Sequence, residues 1–187
     1  MRCEWADNDR ERDYHDLEWG VPIHDDNRLF EYLTLEGAQA GLSWSTILAK
    51  REGYRTAFHG FDPIQTSKIT ASRIDELVLD PTIVRHRGKI ESTVSNAQAI
   101  LEVAANDGSF DSFIWAFVGG KPITRDPVPD PVLPSSTPLA TAMSKALKKR
   151  GFKFVGPTTC YAFMQAAGLV NDHHPECFRY AEVAEMA

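Results

Sequence analysis

Two stretches of the chain crowd aromatic and ionisable side chains together: Tyr14-His15-Asp16-Leu17-Glu18-Trp19-Gly20-Val21-Pro22 and Leu35-Glu36-Gly37-Ala38-Gln39-Ala40-Gly41-Leu42-Ser43-Trp44. Glu36 stands among small and apolar residues, with Gln39 close by. Aromatic faces attract a cation stacked on them. A carboxylate at the edge of a flat ligand accepts its N–H groups and favours its charged form. A nucleobase drawn out of a duplex is bound in this way, by stacking and by edge hydrogen bonds. The plainer alternative makes Trp19 and Trp44 core aromatics and Glu36 a solvated carboxylate.

A second set of reactive side chains lies at the two ends. Cys3 and His15 are near the N-terminus; His173 and Cys177, four residues apart, are near the C-terminus. Residues four apart on a helix share a face, and two Cys with two His make a closed tetrahedral zinc set with no position left for chemistry. Spacing alone leaves this open: both ends could equally be frayed, and His174 competes with His173 as the ligand.

The third feature is Lys148-Lys149-Arg150-Gly151-Phe152-Lys153-Phe154-Val155-Gly156-Pro157-Thr158-Thr159. A basic helix ends at a glycine, and Pro157 opens the next helix after a short turn. A helix start offers free N–H groups and a positive dipole end, a natural phosphate site. Gly151, Lys153, Gly156 and Thr158 are the candidate contacts to a DNA backbone, gripped without reading sequence. An ordinary helical corner with glycine caps is the alternative.

The elements that must position these groups are almost all helical. Ser43 is placed as an N-cap before Trp44, Asp62-Pro63 as a cap with proline at the first helical position, and Ser72-x-x-Asp75 as a capping box. Ile90, Val94, Ala97 and Leu101 mark one face of a long helix, and Phe110, Phe113, Ile114 and Phe117 another. Further helices are placed from Pro138 to Arg150 and from Pro157 to near Gly168. Period-two alternation is absent, which predicts no sheet of any size. The segment from Gly119 to Pro138 holds Pro122, Pro127, Pro129, Pro131, Pro134 and Pro138 and is read as a crossover rather than helix.

Composition bounds the class. The 187 residues are 43% hydrophobic and 25% charged, as in a folded chain that buries a core without disulfide staples. Three widely spaced cysteines read as thiols or metal ligands rather than a disulfide framework. No apolar run approaches the roughly 20 residues a membrane span needs, and no apolar segment follows Met1 in the manner of a signal peptide, so a cytoplasmic location is expected. The net charge of −6 argues against indiscriminate binding to nucleic acid. The charge is unevenly placed, however. No acidic residue occurs from Pro131 to Asn171, where Lys145, Lys148, Lys149, Arg150 and Lys153 give a local +5, and a second basic cluster reads Arg85-His86-Arg87-Gly88-Lys89.

Over nearly its whole length the sequence resembles the bacterial 3-methyladenine DNA glycosylase I family, a branch of the helix-hairpin-helix glycosylases. The resemblance is carried by Cys3-x-Trp5, the two aromatic stretches, Lys50-Arg51-Glu52, Arg85 to Ile90, Leu147 to Gly156, and Phe163 to His173. It implies an all-α helix-hairpin-helix glycosylase fold of two helical lobes, formed as one domain over residues 1–187. The hairpin falls at about 138–168, and a structural zinc joins the terminal segments 1–20 and 171–179. The implied zinc ligands are Cys3, His15, His173 and Cys177. Glu36 is the implied catalytic and base-contacting carboxylate, with Tyr14, Trp44, Trp5 and Trp19 shaping the pocket. Leu42, at a loop tip, is a candidate to fill the gap left in the base stack. The implied reaction is monofunctional hydrolysis of the N-glycosidic bond of 3-methyladenine in alkylated duplex DNA, by a monomer without an obligate partner. No lysine stands out as a Schiff-base nucleophile, and Asp172, the acid nearest the hairpin, adjoins a zinc ligand. Relatives often carry an aromatic residue where this chain has Glu11. Two rival functions remain: a DNA-binding module without the pocket, and a hydrolase whose zinc keeps an open position.

Overall fold

The structure, a computed structural model, describes residues 1–125 and 133–186; Pro127, Pro129 and Pro131 of the expected crossover lie outside them. The described helices are α1 (Asp9–Leu17), α2 (Asp26–Gln39), α3 (Trp44–Ala57), α4 (Pro63–Thr66), α5 (Ala71–Leu77), α6 (Arg87–Asp107), α7 (Phe110–Trp115), α8 (Pro138–Lys149), α9 (Pro157–Ala166) and α10 (Phe178–Ala184). Two-residue strands β1 (Ile123–Thr124) and β2 (Val170–Asn171) pair in parallel, Ile123 with Val170 and Thr124 with Asn171. They stitch the start of the crossover to the segment after α9.

Side-chain caps decide where the helices begin. Ser43 accepts from the Thr46 N–H, Asp62 from Ile64 and Gln65, and Thr137 from Ala140, each filling an otherwise orphaned donor. The cap of α5 differs from expectation. Thr70, in an extended conformation, accepts from the Arg73 N–H, so Ser72 lies inside the first turn. Asp75, the other half of the expected box, instead ion-pairs with Arg87. The aromatic series from Phe110 stays α-helical only to Trp115 and then tightens into a 3₁₀ turn over Ala116–Val118.

The core is built around α2. Every residue from Leu29 to Ala38 is buried, as befits a helix packed on all sides. It contacts α9, α3, α6 and α7, and Leu29, Phe30, Tyr32, Leu33 and Leu35 are among its most buried side chains. Such a helix cannot shift without disturbing the whole core, so any side chain it carries is held rigidly.

Helices α8 and α9 pack together across the turn at 150–156. Gly151 turns the chain at φ +87°, a left-handed conformation that favours glycine. Asn96 of α6 clamps the backbone of Lys153 from both sides, donating to its carbonyl at 3.0 Å and accepting from its N–H at 2.8 Å. Ser144 of α8 donates to the Val155 carbonyl at 2.6 Å. After α9, Gly168 (φ +76°) lies so close to Val21 and Pro22 that a Cβ there would come within 2.5 Å of their backbone. The Tyr14–Pro22 segment is thereby seated against the end of α9.

Candidate active site

A cavity of about 250 Å³ opens where α1, α2, α3 and α9 meet, lined by Trp5, Tyr14, Trp19, Glu36, Gln39, Trp44, Leu133, Ala162 and Gln165. The four aromatic residues expected around the pocket therefore come together, with Glu36 among them. Trp5 lies edge-on to Trp19 with centroids 5.1 Å apart, and Tyr14 and Trp44 are 5.3 Å apart at 56°. Sequence reasoning gave no role to Leu133, Ala162 or Gln165. The last two sit three apart on α9, on one helical face, and that spacing was the available signal.

Glu36 is 7% exposed, so the solvated alternative does not hold. It sits one turn before the end of α2, and burial pushes its carboxyl up to about 8. The Tyr14 hydroxyl and the Trp44 indole N–H are buried without a hydrogen-bond partner among the described residues. An unmade buried hydrogen bond costs roughly 1–3 kcal/mol, so a flat ligand with polar edges would relieve the cavity on several sides at once. A cation in particular would return Glu36 to its charged form.

The other buried glutamate of α2 has the opposite surroundings. Glu31 ion-pairs with Arg51 and Arg55 of α3. Arg51 also forks onto Glu18 at 2.8 and 2.7 Å, and Glu18 accepts from the Tyr32 hydroxyl. This network ties the Tyr14–Trp19 wall of the cavity to α2 and α3. Glu11, where an aromatic residue was expected, is buried but lies outside the cavity lining; it accepts from the Asn8 side chain at the start of α1.

Cys3, His15, His173 and Cys177 form a buried group whose four ligand atoms all lie within 4.8 Å of one another. Individual separations are 3.6 Å for Cys3 Sγ to His173 Nδ1, 3.4 Å for Cys177 Sγ to His15 Nε2, and 3.7 Å for Cys177 Sγ to His173 Nδ1. Zinc bonds of about 2.3 Å to sulfur and 2.0–2.1 Å to nitrogen place such atoms about 3.5 Å apart around a tetrahedron. The outward ring nitrogens have partners suited to metal-bound imidazoles: His15 Nδ1 lies 2.8 Å from Asp16, and His173 Nε2 lies 3.0 Å from the Trp19 carbonyl. The His174 N–H points to Cys3 Sγ at 3.4 Å. Burial lowers His173 to about 4 and His15 below its ordinary value, which keeps both in the neutral, metal-binding form. The donor set therefore fits a zinc ion, and His173 rather than His174 belongs to it. The expected helical face is absent, however. Residues 173–177 form an irregular turn, and Cys177 is the N-cap of α10.

The remaining expected residues lie outside the cavity lining. Leu42 is 41% exposed at a turn closed by its N–H to the Gln39 carbonyl, with Gly41 at φ +81°. Lys153 and Thr158 are exposed, Gly151 is exposed in its turn, and Gly156 is the N-cap of α9 without a side-chain cap. Two basic clusters hold fewer available charges than the sequence suggests. Arg150 ion-pairs with Asp107, and Arg87 with Asp75 and Glu91. Lys89 is buried and donates to the carbonyls of Ala38 and Ala40, capping the end of α2. A groove of about 850 Å³ runs along α3, lined by Arg10, Ser43, Lys50 and Thr82 among others; none of the expected site residues is in its described lining.

A family profile described as methyladenine glycosylase matches residues 5–180. The chain is 50% identical over 180 residues to DNA-3-methyladenine glycosylase 1 of Escherichia coli strain K12, covering 96% of each chain. It is 52% identical over 178 residues to DNA-3-methyladenine glycosylase of Haemophilus influenzae, covering 94% of this chain and 96% of the relative. Its fold superimposes on a crystal structure of 3-methyladenine DNA glycosylase I with a TM-score of 0.91 at 51% identity, covering 95% of this chain and 98% of the other. A Staphylococcus aureus structure described as the basis of 3-methyladenine recognition by 3-methyladenine DNA glycosylase I gives 0.88 at 42% identity, covering 92% of each.

Proposed function

The chain belongs to the methyladenine glycosylase family, and from that premise we propose that it hydrolyses the N-glycosidic bond of 3-methyladenine in alkylated duplex DNA, leaving an abasic site. The observation that carries this reading is the buried Glu36, without a hydrogen-bond partner among the described residues, in a cavity walled by Tyr14, Trp44, Trp5 and Trp19. N3-methylation places positive charge on adenine and weakens its bond to the sugar. The base departs neutral, so the leaving group needs little protonation. Glu36 is the catalytic group in this proposal: it accepts from the edge of the extruded base and stabilises the positive charge that develops at the sugar. Among the described residues the cavity lining contains no lysine, in keeping with hydrolysis rather than a covalent Schiff base; borohydride trapping should yield no enzyme–DNA adduct.

The helix-hairpin-helix of 138–168 would hold the phosphate backbone through Gly151, Lys153, Gly156 and Thr158, and Leu42 would fill the gap left by the base. In the same proposal the chain works as one domain, a monomer located in the cytoplasm. Among the described residues no helix is long and apolar enough to cross a membrane. Cys3, His15, His173 and Cys177 would hold one structural zinc, which supplies cross-linking of the two terminal segments and no part of the reaction. With four protein ligands the site has no open position, which disfavours the zinc hydrolase. The decisive experiment incubates the protein with methylated duplex DNA and separates the released bases by chromatography. Selective release of 3-methyladenine is expected; folded, metal-loaded protein that releases no base would overturn the reading.

A further inference from the structure

Gln165 reaches the cavity from α9, and its amide is not free to turn. Its Nε2 donates at 3.0 Å to Oδ2 of Asp172, which also accepts from the Tyr161 hydroxyl. Asp172 is 8% exposed, with Arg125 Nε 4.0 Å from its other oxygen. Oδ2 of Asp172 is the acceptor for both the Tyr161 hydroxyl and the Gln165 amide. A reversed amide would set oxygen against oxygen, so the nitrogen stays on Asp172 and the oxygen is the atom left for the cavity.

We propose that Gln165 is a specificity-determining residue: held by Asp172, it presents an acceptor to the base and so favours purines with a 6-amino group over those with a 6-oxo group. This rests on the base-binding reading above. The exocyclic amine of 3-methyladenine has two N–H bonds, and Glu36 and Gln165 supply two acceptors for them. The 6-oxo group of 3-methylguanine would set its oxygen against the Gln165 oxygen with no proton between them. A site built to hydrogen-bond one group discriminates strongly against an analogue that leaves its buried polar atoms unpaired. Asp172 acts here as a positioning residue, through Gln165, and not as the base that activates water.

The test measures release of 3-methyladenine and 3-methylguanine from duplex DNA alkylated with dimethyl sulfate, alongside binding of the two free bases by tryptophan fluorescence. Full-length, zinc-loaded wild type is compared with Gln165→Leu, Asp172→Asn and Tyr161→Phe. Asparagine at 172 can donate to the Gln165 oxygen, which lets the amide turn over. The preference for 3-methyladenine should fall about tenfold in Gln165→Leu and Asp172→Asn and hold in Tyr161→Phe. A parallel loss of both activities with the ratio unchanged would overturn the proposal and make the pair merely structural. If Asp172→Asn does not fold, Gln165→Leu decides alone. Should the wild type release no base, the glycosylase reading fails by itself, and the free-base binding ratio still decides the role of Gln165.

Discussion

Glu31 and Glu36 lie on the same buried helix, yet Glu31 meets two arginines while among the described residues no cation pairs with Glu36. Burial raises the Glu36 carboxyl to about 8, above its ordinary 4.5. The folded state thus holds its proton more tightly than the unfolded chain does. The resulting stability is fully present below about 4.5 and is lost as the pH rises through about 8. Glu36→Gln removes that dependence. Thermal melts should show the variant near the wild type at pH 5 and more stable at pH 9, by on the order of 4–5 kcal/mol at most. Excision should fall while duplex binding holds. Equal melting curves at pH 9 would mean that Glu36 is solvated.

Removing Arg51 strips Glu18 and Glu31 of their shared cation, leaving Glu31 with Arg55 and Glu18 with Arg28 at 3.7 Å. Arg51→Met should cost about 3–5 kcal/mol, the usual consequence of stripping one partner from a buried ion network. Adding Glu31→Gln should recover part of that loss. Denaturant titration of the single and double variants measures both, and a loss under about 1 kcal/mol would count against the network.

The backbone of Lys153 is fixed while its side chain is exposed, so its charge is presented outward at a set point. Lys153→Ala should weaken binding to every duplex alike and lower the slope of log K against log salt by about one. Arg150→Ala should change the slope far less, because Asp107 already neutralises Arg150. Equal slopes for the two variants would remove Lys153 from the phosphate contact.

The terminal Cys and His residues should bind one zinc per chain, measurable by metal analysis. A chelator should lower the melting temperature, with activity lost only as the structure is lost. Activity that disappears from a fully folded chain would reassign the metal to the reaction.

Much of this arrangement was legible in residue order because its signals are local. Caps such as Ser43 and Asp62, the glycine turn at Gly151, and the aromatic stretches each act within a few residues. What escaped depends on partners distant in sequence. Nothing near Arg150 indicates that Asp107 engages it, and Lys89 reads as a surface cation until the end of α2 is seen above it. His173 and Cys177 were placed on one helical face because four is a helical interval, but here a turn brings them together. Thr70 rather than Ser72 is the cap because either hydroxyl can begin a helix, and here the backbone is extended at Thr70 and already helical at Ser72.

The clamp of Lys89 on the carbonyls of Ala38 and Ala40 has a mechanical consequence. Glu36 and Leu42 stand at the two arms of a stiff caliper, with the helix end as its hinge pin. In the proposed reading, the span between the Leu42 tip and the Glu36 carboxyl is therefore a fixed gauge. On that reading a nucleotide that does not reach the full span meets no adaptive closure, and rejecting it requires no sensor beyond the length of the tool.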